Sequence, residues 1–282
     1  MAEAIEAFAG GCPSALASDA SGRTKRGESD ESAEEAPYWD GIGKRWIRQR
    51  PQRLWRRQSR DQQISLLAAW PLLPAGSALL KTDPFDEVGE GALVPWLLSR
   101  GLRVSSIDLS AAVVAEARQR CPGLEARVAE VRRLPFSSAS FAMVFSGSTL
   151  DHFASATGID RSLAECTRVL EPGGRLLVTL DNGAHSLILL RNGVLQGVLR
   201  RLGLVRYHVG TMLGPSQLRC AVEAAGLEVK ELTPVSHAPR VLAVAMCGLI
   251  TPLPRWCQQA AVASLQLWEG LERLPTRWFT GH

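Results

Sequence analysis

The 282-residue chain has only six cysteines, two tyrosines and five histidines, and their placement removes several function classes. Cys12, Cys121, Cys166, Cys220, Cys247 and Cys257 lie far apart, with no CxxC and no Cys/His pair at metal-ligand spacing. Neither a metal site nor a disulfide framework is therefore expected. Scattered single cysteines suit a reducing, cytoplasmic setting. Long apolar runs are missing as well. The longest uncharged apolar stretch, residues 241–254, is shorter than a bilayer span and holds Pro252 and Pro254. No basic region followed by an apolar run opens the chain, so no secretory signal is read there.

What is present is unevenly spread. Residues 1–36 are rich in Ala, Gly, Ser and Glu, without apolar periodicity after Phe8, and read as a disordered tail. Then Lys44, Arg45, Arg48, Arg50, Arg53, Arg56, Arg57 and Arg60 crowd into one stretch, interleaved with Trp46 and Trp55. Residues 37–71 read as a basic helical segment broken at Pro51, with Leu54, Ile64, Leu67 and Trp70 turned inward. A solvated basic face with tryptophans on the core is the plain reading. The functional readings are a phosphate-bearing substrate or an anionic membrane touched through residues 44–60; nucleic acid ranks last, because no RNA-binding signature is present.

From residue 72 to 235 strands and helices alternate. Apolar runs at 77–82, 103–107, 126–131, 141–146, 175–180 and 227–232 read as strands, the intervening segments as helices with Gly101 and Gly226 as stops. The pattern predicts an α/β fold: a Rossmann-like, doubly wound, mostly parallel seven-stranded sheet with helices on both faces. A helical lid is expected at about 185–212 and a helical extension over 236–282. Ligands on such sheets bind at the carboxyl ends of the strands. There the chain places Gly89 and Gly91 in a loop that lets backbone approach a ligand, and Asp108 where a carboxylate can accept both ribose hydroxyls. Ser146 opens a small-residue bend.

The segments EVGEG (87–91), VSSIDLS (104–110), AEVRRLPF (129–136), SFAMVFSGSTLDHF (140–153) and RVLEPGGRLLVTLDN (168–182), in this order, resemble the class I S-adenosylmethionine-dependent methyltransferase family. The resemblance covers residues 70–235. STLDHF and TLDN, with PTRWFTGH at 275–282, are similar to a bacterial subgroup in which the final GH leads into a last strand. The resemblance implies S-adenosylmethionine as cofactor. Asp108 and Leu109 would sit at the ribose and Glu130 at the adenine amino group, with Val131 and Arg132 completing the adenine pocket. One departure stands out: Glu87 takes the place of the first glycine of the usual loop, leaving Asp83, Asp86 and Glu87 as candidates for the methionine amino group. An NAD-dependent oxidoreductase is the rival, although the third glycine of GxGxxG is absent; an inactive binding protein of the same fold is another. The seventh strand is expected beyond His282 or at 241–245.

Methyl transfer demands alignment, exclusion of water and sometimes removal of a proton. His152 is the candidate base with Asp151 as its orienting partner. Asp181 and Asn182 could touch the acceptor, and His185 and His237 are weaker candidates. The apolar, tryptophan-containing lid and C-terminal stretch suggest a small, partly hydrophobic acceptor.

Overall fold

The computed structural model describes residues 2–9, 25–49, 53–69, 71, 73–89, 91–183, 196–201, 210–235 and 246–270. Its strands are β1 (Ala2–Ala9), β2 (Ala78–Lys81), β3 (Arg103–Asp108), β4 (Glu125–Val128), β5 (Phe141–Gly147), β6 (Leu170–Asp181) and β7 (Leu227–Val235). They form one sheet in the order β4-β3-β2-β5-β6-β1-β7. The run from β4 to β6 is parallel. The helices are α1 (Lys25–Gln49), α2 (Arg53–Ala68), α3 (Val94–Ser99), α4 (Ala111–Arg120), α5 (Ala156–Val169), α6 (Gln196–Arg201), α7 (Pro215–Ala224) and α8 (Arg255–Gly270).

Successive strand residues point to opposite faces, and both faces are covered. Leu80, Ile107 and Val144 join Ile159, Leu163 and Cys166 of α5 and Leu218 and Val222 of α7 on one side. Leu79, Val104 and Phe145 join Val94 and Leu97 of α3, Val113 and Val114 of α4, and Trp46 and Leu67 of α1 and α2 on the other. Each such buried aliphatic side chain contributes about 1.5–3 kcal/mol. Ser110 caps α4 by accepting from the Val113 amide at 3.2 Å, as its sequence position predicts. Leu54 and Leu67 are buried as expected, Ile64 is half-buried, and Trp70 lies outside the described residues.

Three expectations change. Residues 2–9 form a strand, and the helix over 37–49 begins earlier than expected, at Lys25, inside the segment 1–36 that reads as a disordered tail. The composition argument weighed apolar burial alone, whereas α1 is anchored by polar contacts. Asp40 accepts from Ser110 Oγ at 2.9 Å and the Ala112 amide at 3.0 Å, and Glu35 pairs with Arg132 at 3.1 Å. Gly43 permits the close approach, since a Cβ there would stand 2.6 Å from Val113 Cγ2.

Second, the sheet position expected of a C-terminal strand is filled from the other end. β1 lies antiparallel to both β6 and β7, with Ala2 opposite Asp181 and Val235. Residues 241–245 and 271–282 lie outside the described residues, as do most of the expected lid, His185 and His237. Third, β4 ends at Val128, so Glu130 stands in the following turn, bridged to Arg133. The PGG turn is a bulge within β6: Phe141 pairs with Leu170 and Met143 with Arg175, and Gly173 takes the φ of +75° that such a turn requires.

Candidate functional site

A cleft runs along the carboxyl ends of the parallel strands and is roofed by α1 and α2. β2 delivers Thr82 and Asp83 to it, β3 delivers Asp108 and Leu109, and the turn after β4 delivers Glu130 and Val131. β5 ends in Gly147, Ser148 and Thr149, and β6 ends in Asp181, all on the wall. Ser148 is held at φ +54°, a left-handed conformation unusual for serine and typical of constrained functional positions. Its amide donates to the Thr179 carbonyl at 2.9 Å.

Hydroxyls tie β2 to β5. Thr82 Oγ1 donates to Ser146 Oγ at 3.0 Å and lies 2.9 Å from Thr149 Oγ1, which donates to Asp83 Oδ2 at 2.8 Å. Asp83 Oδ1 accepts from the Phe85 amide at 3.1 Å. Behind them Lys81 is buried, 3.6 Å from Asp83 Oδ1 and 3.7 Å from Glu87 Oε1. Burial alone disfavours the ammonium, but Asp83, Glu87 and Asp86 outweigh it and hold Lys81 above the ordinary lysine range.

Asp108 is half-buried in the wall, its Oδ1 accepting from the Ser110 amide at 2.7 Å. Burial pushes its carboxyl up to about 7, against that amide and aided by Asp83. Glu130 accepts from Arg132, whose guanidinium also stands 4.8 Å over the Phe153 ring. His152 lies in a 3-10 turn (Leu150–His152), its ring 4.9 Å from that of Trp39.

Of the residues picked from the sequence, Asp83, Asp86, Asp108, Leu109, Glu130, Val131 and His152 come together on the cleft, and Asp181 joins them. The others serve behind it. Ser146 is buried in the hydroxyl chain. Glu87 is 1% exposed and accepts from the Leu93 and Val94 amides at 3.3 and 3.2 Å, fastening the start of α3; its burial pushes it up to about 7. Gly89 and Gly91 face α2, where a Cβ on Gly91 would stand 2.8 Å from the Arg56 carbonyl oxygen. Arg132 holds Glu130 and Glu35 rather than lining the wall.

Asp151 and His152 lie within ion-pairing distance of each other. Asp151 Oδ1 is 3.8 Å from His152 Nε2, beyond a hydrogen bond. Its carbonyl instead accepts from the Gly210 amide at 2.7 Å, while Phe153's accepts from Thr211 at 2.7 Å. The imidazole packs against Trp39, and a strap at 210–211 holds the backbone on either side of it.

Sequence reasoning missed the roof. Trp39, Ser59, Gln62 and Gln63 sit on the segment 37–71, whose sequence reading names none of them as a site residue. Arg56 was counted among the surface cations. Instead it is 8% exposed, pairs with Asp86, and stands 4.3 Å from the Trp46 ring centroid. Its Nε is buried without a hydrogen-bond partner among the described residues. Trp46 and Arg56 lie on successive helices, so helical spacing does not reveal which arginine turns inward.

The comparisons agree with this geometry. Residues 88–178 match the family model for a methyltransferase domain. A demethylmenaquinone methyltransferase of Beutenbergia cavernae is 35% identical over 126 residues, 45% of this chain and 46% of the relative. A Mycolicibacterium smegmatis protein named probable S-adenosylmethionine-dependent methyltransferase is 30% identical over 149 residues, 53% of this chain and 52% of its own length. The chain thus spans about half the length of these curated relatives. For the fold alone, the crystal structure of a candidate sarcosine dimethylglycine methyltransferase from Galdieria sulphuraria superposes with a TM-score of 0.52 at 15% identity, covering 76% of this chain and 80% of that one. The match begins at Val88, inside the irregular glycine loop, and runs through the acid after β3 to the end of β6. Residues 88–178 thus match a methyltransferase domain, and over about half its length the chain is similar to a protein named as a probable S-adenosylmethionine-dependent methyltransferase.

Proposed function

We propose that the protein transfers a methyl group from S-adenosylmethionine to a small, partly hydrophobic acceptor by SN2 displacement. The observation that carries this reading is the convergence of Asp83, Asp108 and Glu130, from three successive strand ends, on one cleft. The cleft fits the cofactor's chemistry. Asp108 spends one carboxylate oxygen on Ser110, and Oδ2 accepts no hydrogen bond from the described residues, leaving it for ribose hydroxyls. Ile107, Leu109 and Val131 supply apolar wall for a purine. Of the three acids left open for the methionine amino group, Glu87 is committed to α3 and Asp86 to Arg56 and Gln63. Asp83, on the cleft wall at the carboxyl end of β2, is assigned that contact. Arg56, with its spare buried Nε, offers a guanidinium to the methionine carboxylate.

When bound, the cofactor supplies an electrophilic methyl on a sulfonium. The protein aligns the acceptor, excludes water and takes the acceptor's proton where it has one. His152, at the cleft beside Trp39, is the residue assigned as base. Trp55 and Leu66 of α2 form the apolar side of the acceptor region, with Gln62 and Gln63 as its polar contacts. An aromatic acceptor suits this wall, and one relative is named for demethylmenaquinone.

Calorimetry with S-adenosylhomocysteine, with NAD as control, tests the cofactor. Binding of the first and not the second supports the reading; binding of NAD alone, or of neither, sinks it. A metabolite screen with labelled cofactor then identifies the acceptor. With it, His152→Ala should lower kcat while sparing cofactor affinity, and an unchanged kcat removes the base assignment.

A further inference from the structure

Arg132 touches three separately built parts of the cleft with one side chain. Its Nε donates to Glu130 in the turn after β4, its Nη2 donates to Glu35 of α1 at 3.1 Å, and its guanidinium stands 4.8 Å over the Phe153 ring. All three partners line the cleft, whereas Arg132 does not and keeps only 12% of its side chain exposed. Arginine alone offers a planar fork that can serve two carboxylates and lie on an aromatic face at once. An ion pair in full solvent contributes little. A sheltered guanidinium that loses a carboxylate is left as an uncompensated charge, so these partners hold together.

The later part of α1 is pinned on α4, where Asp40 accepts from Ser110 and the Ala112 amide and Gly43 packs against Val113. Glu35 fastens α1 earlier, to Arg132. Pro37 sits between these two points and has no N–H for the carbonyl four residues back, so the helix lacks a hydrogen bond there. Trp39, one turn after Glu35, carries its ring to 4.9 Å from that of His152, and Phe153 follows His152 directly. The contacts of Glu35 with Arg132 and of Trp39 with His152 thus bracket the weakest point of the roof.

We propose that Arg132 is a positioning residue that couples the adenine end of the cleft to closure of α1 over the acceptor. Glu130 spends Oε1 on Arg132, and its Oε2 accepts no hydrogen bond from the described residues. An amino group donating to Oε2 fixes the carboxylate from both ends. The guanidinium is then held against Glu35 and Phe153, and the Glu35–Trp39 turn of α1 is drawn onto the ligand with His152 beside it. Arg132 itself meets neither cofactor nor acceptor. The inference rests on the methyl-transfer reading, because the cofactor brings the amino group.

The test is amide hydrogen exchange of the full chain with and without S-adenosylhomocysteine, alongside calorimetry and the rate of ligand release. In the wild type the ligand should slow exchange between residues 35 and 40 at least about tenfold. Glu35→Gln removes one arm of the clasp at a partly exposed position. It should still bind S-adenosylhomocysteine, release it roughly three- to tenfold faster, and lose the ligand-dependent slowing. Arg132→Lys keeps the charge without the fork and should do the same. A clasp with a structural role alone would change exchange equally with and without ligand. That outcome, a wild type without ligand-dependent slowing, or a wild-type response from either variant overturns the coupling and leaves the cofactor reading intact. Failure of the wild type to bind S-adenosylhomocysteine overturns both.

Discussion

Asp108→Asn tests the cofactor end most directly, because the change is nearly isosteric. The asparagine side-chain oxygen can still accept from the Ser110 amide, now at 2.7 Å, so the start of α4 is preserved. What is lost is the negative charge facing the ribose. A hydrogen bond to a charged group contributes about 1.5–3 kcal/mol, so S-adenosylhomocysteine should bind roughly ten- to hundredfold more weakly. The wild-type protein should also show a pH signature. The free carboxyl sits at about 7, held up first by burial. A ligand that donates hydroxyls to it favours the ionised form, lowers its pKa and releases a proton on binding. Affinity should therefore rise with pH up to about 7 and flatten above, falling by at most about tenfold per unit below. Calorimetry over roughly pH 5.5–8.5 on both proteins reads this. A flat wild-type profile refutes the ribose assignment. An equal slope in the variant assigns the proton to Glu87, which titrates in the same range.

Lys81→Met removes the buried cation between Asp83 and Glu87. It should cost about 3–5 kcal/mol in urea unfolding, and a loss below about 1 kcal/mol would show that the acids do not depend on it. Asp40→Ala should destabilise by about 1 kcal/mol at neutral pH, as loss of a helix cap does. Lys44, then the Ala112 amide and Ser110, depress the Asp40 carboxyl to about 2. Its contribution is thus complete above the ordinary carboxylate pKa and lost as pH falls to about 2. Melts of the two proteins should converge in acid; a gap that persists there contradicts the capping role. Gly210→Ala would set a Cβ 2.1 Å from the Phe153 carbonyl oxygen. The strap must shift, at about 1–3 kcal/mol, and hydrogen exchange at the Gly210 and Thr211 amides should quicken; unchanged protection argues against the strap.

The parallel half of the fold was legible because its signals are local. Leu79 and Leu80 alternate faces, Ser110 caps α4, and Ile159, Leu163, Cys166 and Val169 recur at helical spacing and are all buried. The pairing of LPF with RVLEPGG also has a physical basis. Glu165 accepts from the Leu134 amide at 2.7 Å, while Arg168 donates to the Phe136 carbonyl at 2.8 Å and the Leu134 carbonyl at 3.1 Å. The helix segment before the PGG turn thus clamps the strand-end loop, and the two motifs occur together for that reason.

The remainder depends on contacts between distant residues. Asp40 on the α4 cap, Arg56 turned inward and β1 inserted beside β6 leave no periodic trace. The glycine loop misled in a related way. Gly89 and Gly91 were read for a ligand, yet the neighbour they admit is α2.

The insertion of β1 between β6 and β7 bears on how the chain is built. Residues 2–9 are synthesised well before their partners at 175–181 and 227–235. β1 must wait outside the sheet until β7 exists, and its insertion joins segments far apart in sequence at a large loop-closure cost. The slot it leaves should accept the strand from outside. A chain lacking residues 1–9 is expected to melt at a lower Tm and to recover when a peptide of residues 2–9 is added. If the peptide has no effect on the shortened chain, β1 is not an exchangeable element of the sheet. Nascent copies on one polysome would then present open slots and unplaced strands to one another, making strand exchange between neighbouring chains the characteristic error in producing this protein.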